Sequence, residues 1–154
     1  MATSYTWTNC GGGTGAADSP RTYCTVYIDV TDNGNNTITL DAYAKGTTVS
    51  TAGTYIHYIQ YIGINCGGTK YVIGNQTSQN SGKGALLGSK SQGAGSEGKV
   101  YVGSTTINKP ITGTTIKMYG QNYINASPYT YSYSKSWNLD SSFFYSGYSW
   151  VNLG

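Results

Sequence analysis

The groups able to do chemistry in this chain are few: one histidine, six carboxylates and three cysteines among 154 residues. A hydrolytic triad would have to be built on His57, between Ile56 and Tyr58 in the most strand-like run of the sequence, and no Gly-x-Ser-x-Gly elbow presents a nucleophile. His57 reads as a strand histidine satisfied from within. Glycoside hydrolysis needs two carboxylates placed across a sugar, and Asp29 and Asp41 are spaced to approach each other across a hairpin. Both fall on faces that read as outward, where solvated acids are ordinary. Asp29, Asp32 and Asp41, with Asn33, Asn35 and Asn36, offer the oxygen atoms that calcium takes, without EF-hand spacing. Asn and Asp are equally the residues of tight turns. Gly93-Ala94-Gly95-Ser96-Glu97-Gly98 matches the dinucleotide-binding glycine pattern and, with Lys99, nearly matches a P-loop. Both motifs fail in context, because Val100 stands where a P-loop has Ser or Thr, and Val100-Tyr101-Val102 reads as a strand where a helix is required. Cys10, Cys24 and Cys66 are odd in number and include no Cys-x-x-Cys pair. Structural or free thiols are expected, with a Cys10–Cys66 bridge as the alternative. No catalytic residue, cofactor or metal follows from these groups, and the chain is expected not to be an enzyme.

Tyrosine is what the chain has in quantity, sixteen against two phenylalanines. Its large ring and polar tip suit half-wet surfaces, interfaces and stacking faces. Tyr129, Tyr131, Tyr133 and Trp137 recur at every second position or a multiple of it, so they share one face of a strand. That face reads as core, since the alternate positions are Ser, Thr and Asn; the alternative is a row that stacks sugars or a partner sheet. Tyr23, Tyr27 and Tyr43 then become the outward cluster. Phe143, Phe144, Tyr148 and Trp150 make the terminus from Ser141 to Gly154 strongly aromatic, as a closing strand or a segment that docks on a neighbouring subunit.

The elements that must position these rings have a period of two. Cys24, Val26, Ile28 and Val30 alternate with Tyr23, Thr25, Tyr27 and Asp29; after Thr31-Asp32-Asn33-Gly34-Asn35-Asn36, Ile38, Leu40, Ala42 and Ala44 alternate with Thr37, Thr39, Asp41 and Tyr43. The Asn-Gly step marks this as a hairpin. Tyr55 to Ile64 is apolar on both sides, Ile56, Tyr58, Ile62 and Ile64 on one and Tyr55, Ile59 and Tyr61 on the other, as in a covered central strand. Further strands are expected at 71–73, 100–102, 115–119 and 129–139. Residues 75–98 read as a long Gly/Ser-rich loop pinned by Leu86 and Leu87, and residues 1–21 and 141–154 as possible arms. No helical period occurs. The fold class is therefore all-β: one antiparallel β-sandwich domain, immunoglobulin-like or jelly-roll, of about seven to nine strands.

Charged residues are only 10% of the chain, where about 25% is usual, and the net charge of +3 comes from scattered Lys and Arg with no cluster that would follow a phosphate backbone. Nucleic acid is not an expected partner. No apolar run long enough to span a bilayer and no leader-like N-terminus occurs, so membrane insertion is not expected. Three Asn-x-Ser/Thr sequons, at Asn35, Asn75 and Asn125, are of the number that composition alone produces.

From Thr22 to about Gly120 the chain resembles the immunoglobulin-like modules in virion structural proteins of tailed bacteriophages of Gram-positive hosts. Tyr23-Cys24-Thr25-Val26-Tyr27-Ile28-Asp29-Val30 and Gly103-Ser104-Thr105-Thr106-Ile107 carry the resemblance, one of strand layout and Thr/Ser/Gly/Tyr texture. It implies a non-enzymatic particle protein, such as a head decoration, tail or fibre component, located on a virion or extracellular particle surface. Its partners would be other copies of itself and other particle proteins. The Tyr/Trp-rich C-terminus departs from the pattern, so no residue's role transfers. Two alternatives stand beside it: a carbohydrate-binding module or lectin-like domain that holds cell-surface glycans on exposed aromatics, and a secreted adhesin or self-assembling surface filament.

Overall fold

The computed structural model describes residues 3–10, 15–16, 19–20, 22–48, 54–91, 95–96, 98–111, 114, 116–125 and 127–132. In chain order the strands are β1 (Thr3–Cys10), β2 (Gly15–Ala16), β3 (Ser19–Pro20), β4 (Thr22–Asp32), β5 (Thr37–Thr48), β6 (Thr54–Cys66), β7 (Thr69–Asn75), β8 (Ala85–Ser91), β9 (Gly95–Ser96), β10 (Val100–Asn108), β11 (Ile116–Ile124) and β12 (Ser127–Ser132). A 3-10 turn at Asn80–Gly82 is the only helical element among the described residues. The first sheet has the order β1-β4-β5-β10, and the second β12-β11-β6-β7. Every pairing is antiparallel, and the two sheets pack as a sandwich of about eight principal strands, as the sequence leads one to expect.

The hairpin of β4 and β5 frames the first sheet. Cys24, Val26, Ile28 and Val30 on β4 and Ile38, Leu40, Ala42 and Ala44 on β5 are all 0–1% exposed, so the period-two reading holds for both strands except at Thr25, read as outward but buried at 3%. The turn is held by side chains that imitate backbone. Asn33 donates its backbone N–H to the Thr37 carbonyl at 3.0 Å and its amide to the Thr37 and Thr39 hydroxyls at 3.0 Å each. Gly34 and Asn36 take φ of 79° and 62°, the left-handed region that Gly and Asn enter most readily. Lys109, just past β10, donates its backbone N–H to the Asn36 carbonyl at 2.8 Å and its ammonium to Asp32 Oδ2 at 2.8 Å. Of the oxygen atoms read as a calcium option, those of Asp32, Asn33 and Asn35 are thus taken up by turn bonds and an ion pair. Among the described residues no group of three His, Cys, Asp or Glu is placed to hold a metal.

The Lys109 ammonium, then the Gly34 N–H, hold the Asp32 carboxyl below its ordinary pKa. A carboxylate with a depressed folded pKa stabilises the fold above its unfolded pKa of about 3.9, and that contribution disappears as pH falls through the folded value. We therefore expect Lys109→Met to lose less thermal stability than the parent between about pH 5 and pH 2.5, because the variant has already given up the Lys109 share of this pH-dependent contribution and keeps only that of the Gly34 N–H. Melting temperatures across that range check it; parallel curves for the two proteins would refute it.

In β6 the alternation changes phase. His57 and Ile59 are buried, and so are Ile62 and Ile64, so the inward set moves from odd to even positions. This corrects the grouping of Ile56 and Tyr58 with Ile62 and Ile64. The cause is a β-bulge: Gln121 stands opposite Tyr61 while the next residue, Asn122, stands opposite Ile59, leaving Gln60 as the extra residue. The ladder on the other side of β6 breaks at the same place. β7 pairs with β6 up to Asn75 opposite Tyr61, the chain leaves from Gln76 to Gly84, and β8 resumes with Ala85 opposite Ile59. Gln60 fastens both ends of this excursion, its carbonyl accepting from the Gln76 N–H at 2.7 Å and its amide donating to the Gly82 carbonyl at 2.8 Å. Of residues 75–98, read as a loop, 85–91 and 95–96 are therefore strand and the excursion is a loop; Leu87 is buried at 5% but Leu86 is 52% exposed, so one leucine anchors and the other does not. A Gly/Ser-rich composition hides a strand whose register is imposed by β6.

The two sheets touch along one side through glycines. β7 and β10 are edge strands of different sheets, and a Cβ on Gly74 would come 2.6 Å from Val102 Cγ1, while one on Gly103 would come 2.7 Å from the Ile73 carbonyl oxygen. Val102 is the extra residue of a bulge between Tyr101 and Gly103, and its carbonyl accepts from the Gln76 amide at 2.6 Å. The segment 1–21, read as an arm, contributes β1 as the partner of β4.

Candidate functional site

His57 is 0% exposed and its ring fills the place a side chain would take at Gly46 of the facing sheet, where an added Cβ would lie 2.3 Å from His57 Cγ. Cys66 is in no disulfide, which removes the Cys10–Cys66 bridge, and the backbone of Cys10 instead stands opposite that of Cys24. Burial raises the Cys66 thiol pKa. The near match to a nucleotide-binding glycine motif resolves into β9, opposite Thr47 and Thr48, followed by strand β10.

The outer face of the first sheet is ordered in rows by strand register. One row reads Thr6, Tyr27, Tyr43, Tyr101 across β1, β4, β5 and β10; the next reads Ser4, Asp29, Asp41, Ser104. The Tyr43 and Tyr101 rings meet edge to face, centroids 5.3 Å apart. Lys99 Nζ lies 4.5 Å from the Tyr27 ring centre and 4.9 Å from that of Tyr43, and Lys45 lies 5.9 Å from Tyr27. Such contacts are each worth about 0.5–1 kcal/mol at exposed sites, so they hold the lysines flat over the rings. Desolvation, then Asp29, Asp41 and Tyr101, raise the pKa of Tyr43, which keeps its hydroxyl a donor. Asp29 accepts a hydrogen bond from the Ser4 hydroxyl. Asp29 and Asp41 are direct ladder partners, and no ion pair among the described residues involves either. Like charges directly opposite in a ladder repel.

The second sheet presents its own tyrosines on its two central strands. Tyr58 stands opposite Tyr123, and the Tyr61 and Tyr119 rings are 6.1 Å apart. Tyr119 lies over its ladder partner Gly63, where an added Cβ would come 2.4 Å from Tyr119 Cζ, so the ring covers the gap left by the glycine. Desolvation first, then Tyr61, raise the pKa of Tyr119. Lys70 lies over Tyr119 at 5.3 Å and Lys83 over Tyr58 at 5.5 Å.

Of the residues singled out from sequence, Tyr27 and Tyr43 are brought together as ladder partners, while Tyr23 stands two rows away opposite Thr47. All three are half-buried. The backbone of β12 sets Tyr129 opposite Asn122 and Tyr131 opposite Gly120, at positions where β11 faces inward. Tyr133, Trp137, Phe143, Phe144, Tyr148 and Trp150 lie outside the described residues. Tyr101, 53% exposed, was missed; its signal is the alternation Val100-Tyr101-Val102, which places a lone ring outward. The tyrosines of β6 were missed because a strand apolar on both sides gives no sign of which side is outer; those of β11 carry a signal, the alternation of Lys117, Tyr119 and Tyr123 with Ile116, Met118 and Ile124. Comparison with protein-family models, with curated proteins and with solved structures finds no match.

Proposed function

We propose that this chain is a non-enzymatic structural subunit of a virus or phage particle, a decoration, tail or fibre component that acts through protein–protein contact. The observation that carries the reading is the tiling of both outer faces with ordered tyrosines: Tyr27, Tyr43 and Tyr101 on one, Tyr58, Tyr61, Tyr119 and Tyr123 on the other. A solvated outer face needs only small polar residues, whereas tyrosines supply rigid, amphipathic contact area at low entropic cost, and interfaces are enriched in them. The scarcity of acid–base groups supports the same reading. Sugar binding ranks second, because lysines occupy the ring faces of Tyr27, Tyr43, Tyr58 and Tyr119 on which a pyranose would stack.

Light scattering across a concentration series tests the reading. The expected result is a defined oligomer or filament, driven toward monomer when Tyr58 and Tyr123 are both replaced by Ser, with circular dichroism unchanged. A monodisperse parent monomer at about millimolar concentration, where contacts worth only some 4 kcal/mol already associate, overturns it.

A further inference from the structure

Among the described side chains, carboxylates lie on one of the two outer faces only. All three carboxylates among the described side chains, Asp29, Asp32 and Asp41, belong to the first sheet; Asp32 is paired with Lys109, and Asp29 faces Asp41 without a cation. The lysines of that face, Lys45 and Lys99, are laid on tyrosine rings. The outer face of the second sheet carries Lys70, Lys83 and Lys117, and no carboxylate among the described residues.

We infer that copies of this chain associate face to back, the lysine-bearing face of the second sheet seating on the Asp29–Asp41 row of the first sheet of the next copy. This rests on the assembly reading above and names its partner and geometry. Two copies of the second sheet cannot meet as well, since lysine would be set against lysine, and on the first sheet Lys45 and Lys99 are laid on their own tyrosine rings rather than extended toward a partner's Asp29–Asp41 pair. A cation delivered between Asp29 and Asp41 instead relieves a repulsion built into each subunit. The rows supply the rest of the contact: tyrosines of β6 and β11 meet Tyr27, Tyr43 and Tyr101. Four strands at about 4.8 Å spacing and roughly nine residues at about 3.3 Å rise give a face near 19 by 30 Å, hence about 1,100 Å² buried in total. That clears the threshold of about 1,000 Å² for a specific interface. Because the two contacting surfaces differ, the association is heterologous, and copies add in one direction to form an open stack or a ring.

Charge exchange tests the geometry. One variant, Asp29→Lys with Asp41→Lys, has two basic faces; the other, Lys70→Glu with Lys83→Glu and Lys117→Glu, has none. Each alone is expected to lose self-association at least tenfold by light scattering at low salt. An equimolar mixture is expected to recover it, because each acidic face then meets a basic one. Circular dichroism confirms folding, and Asp29→Asn with Asp41→Asn serves as a milder second form of the first variant if the lysines do not fold. A parent that associates while both variants associate equally well, or a mixture that recovers nothing, overturns this geometry and leaves the assembly reading intact. A monomeric parent overturns both.

Discussion

Deletion of Gln60 is expected to leave a cooperatively melting domain, destabilised by about 1–3 kcal/mol. Gln60 is the extra residue of β6, and without it the strand alternates regularly with Ile64, Ile62, Ile59 and His57 all still inward and Tyr58 and Ile56 still outward. The ring of His57 therefore keeps its place at Gly46. What the deletion removes is the fastening of the excursion, the bond from the Gln76 N–H to the Gln60 carbonyl and that from the Gln60 amide to the Gly82 carbonyl, each worth about 0.5–1.5 kcal/mol. Gln60→Ala, which keeps the bulge and loses only the amide bond, is expected to cost about 1 kcal/mol. Inserting two glycines after Ser81, in the excursion that the same Gln60 fastens, is the control; lengthening a loop already closed costs well under 1 kcal/mol. Thermal unfolding by circular dichroism compares the three, and loss of the cooperative transition on deletion would refute the account of the bulge.

Gly103→Ala is expected to destabilise by roughly 3 kcal/mol, lowering the melting temperature by about 6–12 °C in a chain of this size. The added methyl would lie 2.7 Å from the Ile73 carbonyl oxygen and 2.8 Å from Gly74 Cα, both backbone atoms of β7 that no rotamer change can move aside. Relief requires drawing the two sheets apart at the seam, which also stretches the Gln76–Val102 hydrogen bond. The same change at Gly98, where an added Cβ meets nothing within 4 Å, is the matched control and is expected to shift the transition by about a degree or less. Gly63→Ala falls between, since the obstructing group there is the movable Tyr119 ring. If Gly103→Ala and Gly98→Ala melt together, the seam is not a tight one.

The strands with one wet face were legible because burial writes itself into sequence as alternation; β4 and β5 obey it at every core position from Cys24 to Ala44. The turn between them was legible from Asn-Gly chemistry, and Asn65-Cys66-Gly67-Gly68 likewise makes a two-residue hairpin turn with both glycines at positive φ. What stayed hidden depends on neighbours distant in sequence. β8 is a strand because β6 offers it hydrogen bonds, not because Ala85-Leu86-Leu87-Gly88-Ser89 prefers one. The bulge at Gln60 is set by the register of β11, some sixty residues away. The tyrosine row on the first sheet was half visible: Tyr27 and Tyr43 lie within a single hairpin, while Tyr101 joins them only through the pairing of β10 with β5.

The sheet order also governs how quickly the chain can reach this state. Three ladders are local hairpins, β4 with β5, β6 with β7 and β11 with β12, and close after short loops. The ladders that unite them, β5 with β10 and β6 with β11, join residues about sixty positions apart, and their loop-closure entropy must be met before any native pairing offsets it. Folding is then a matter of docking preformed hairpins, slow for a domain of this length. During synthesis neither sheet can be completed until β10 and β11 have left the ribosome, and until then the flanks of β5 and β6 remain open to pairing with other chains.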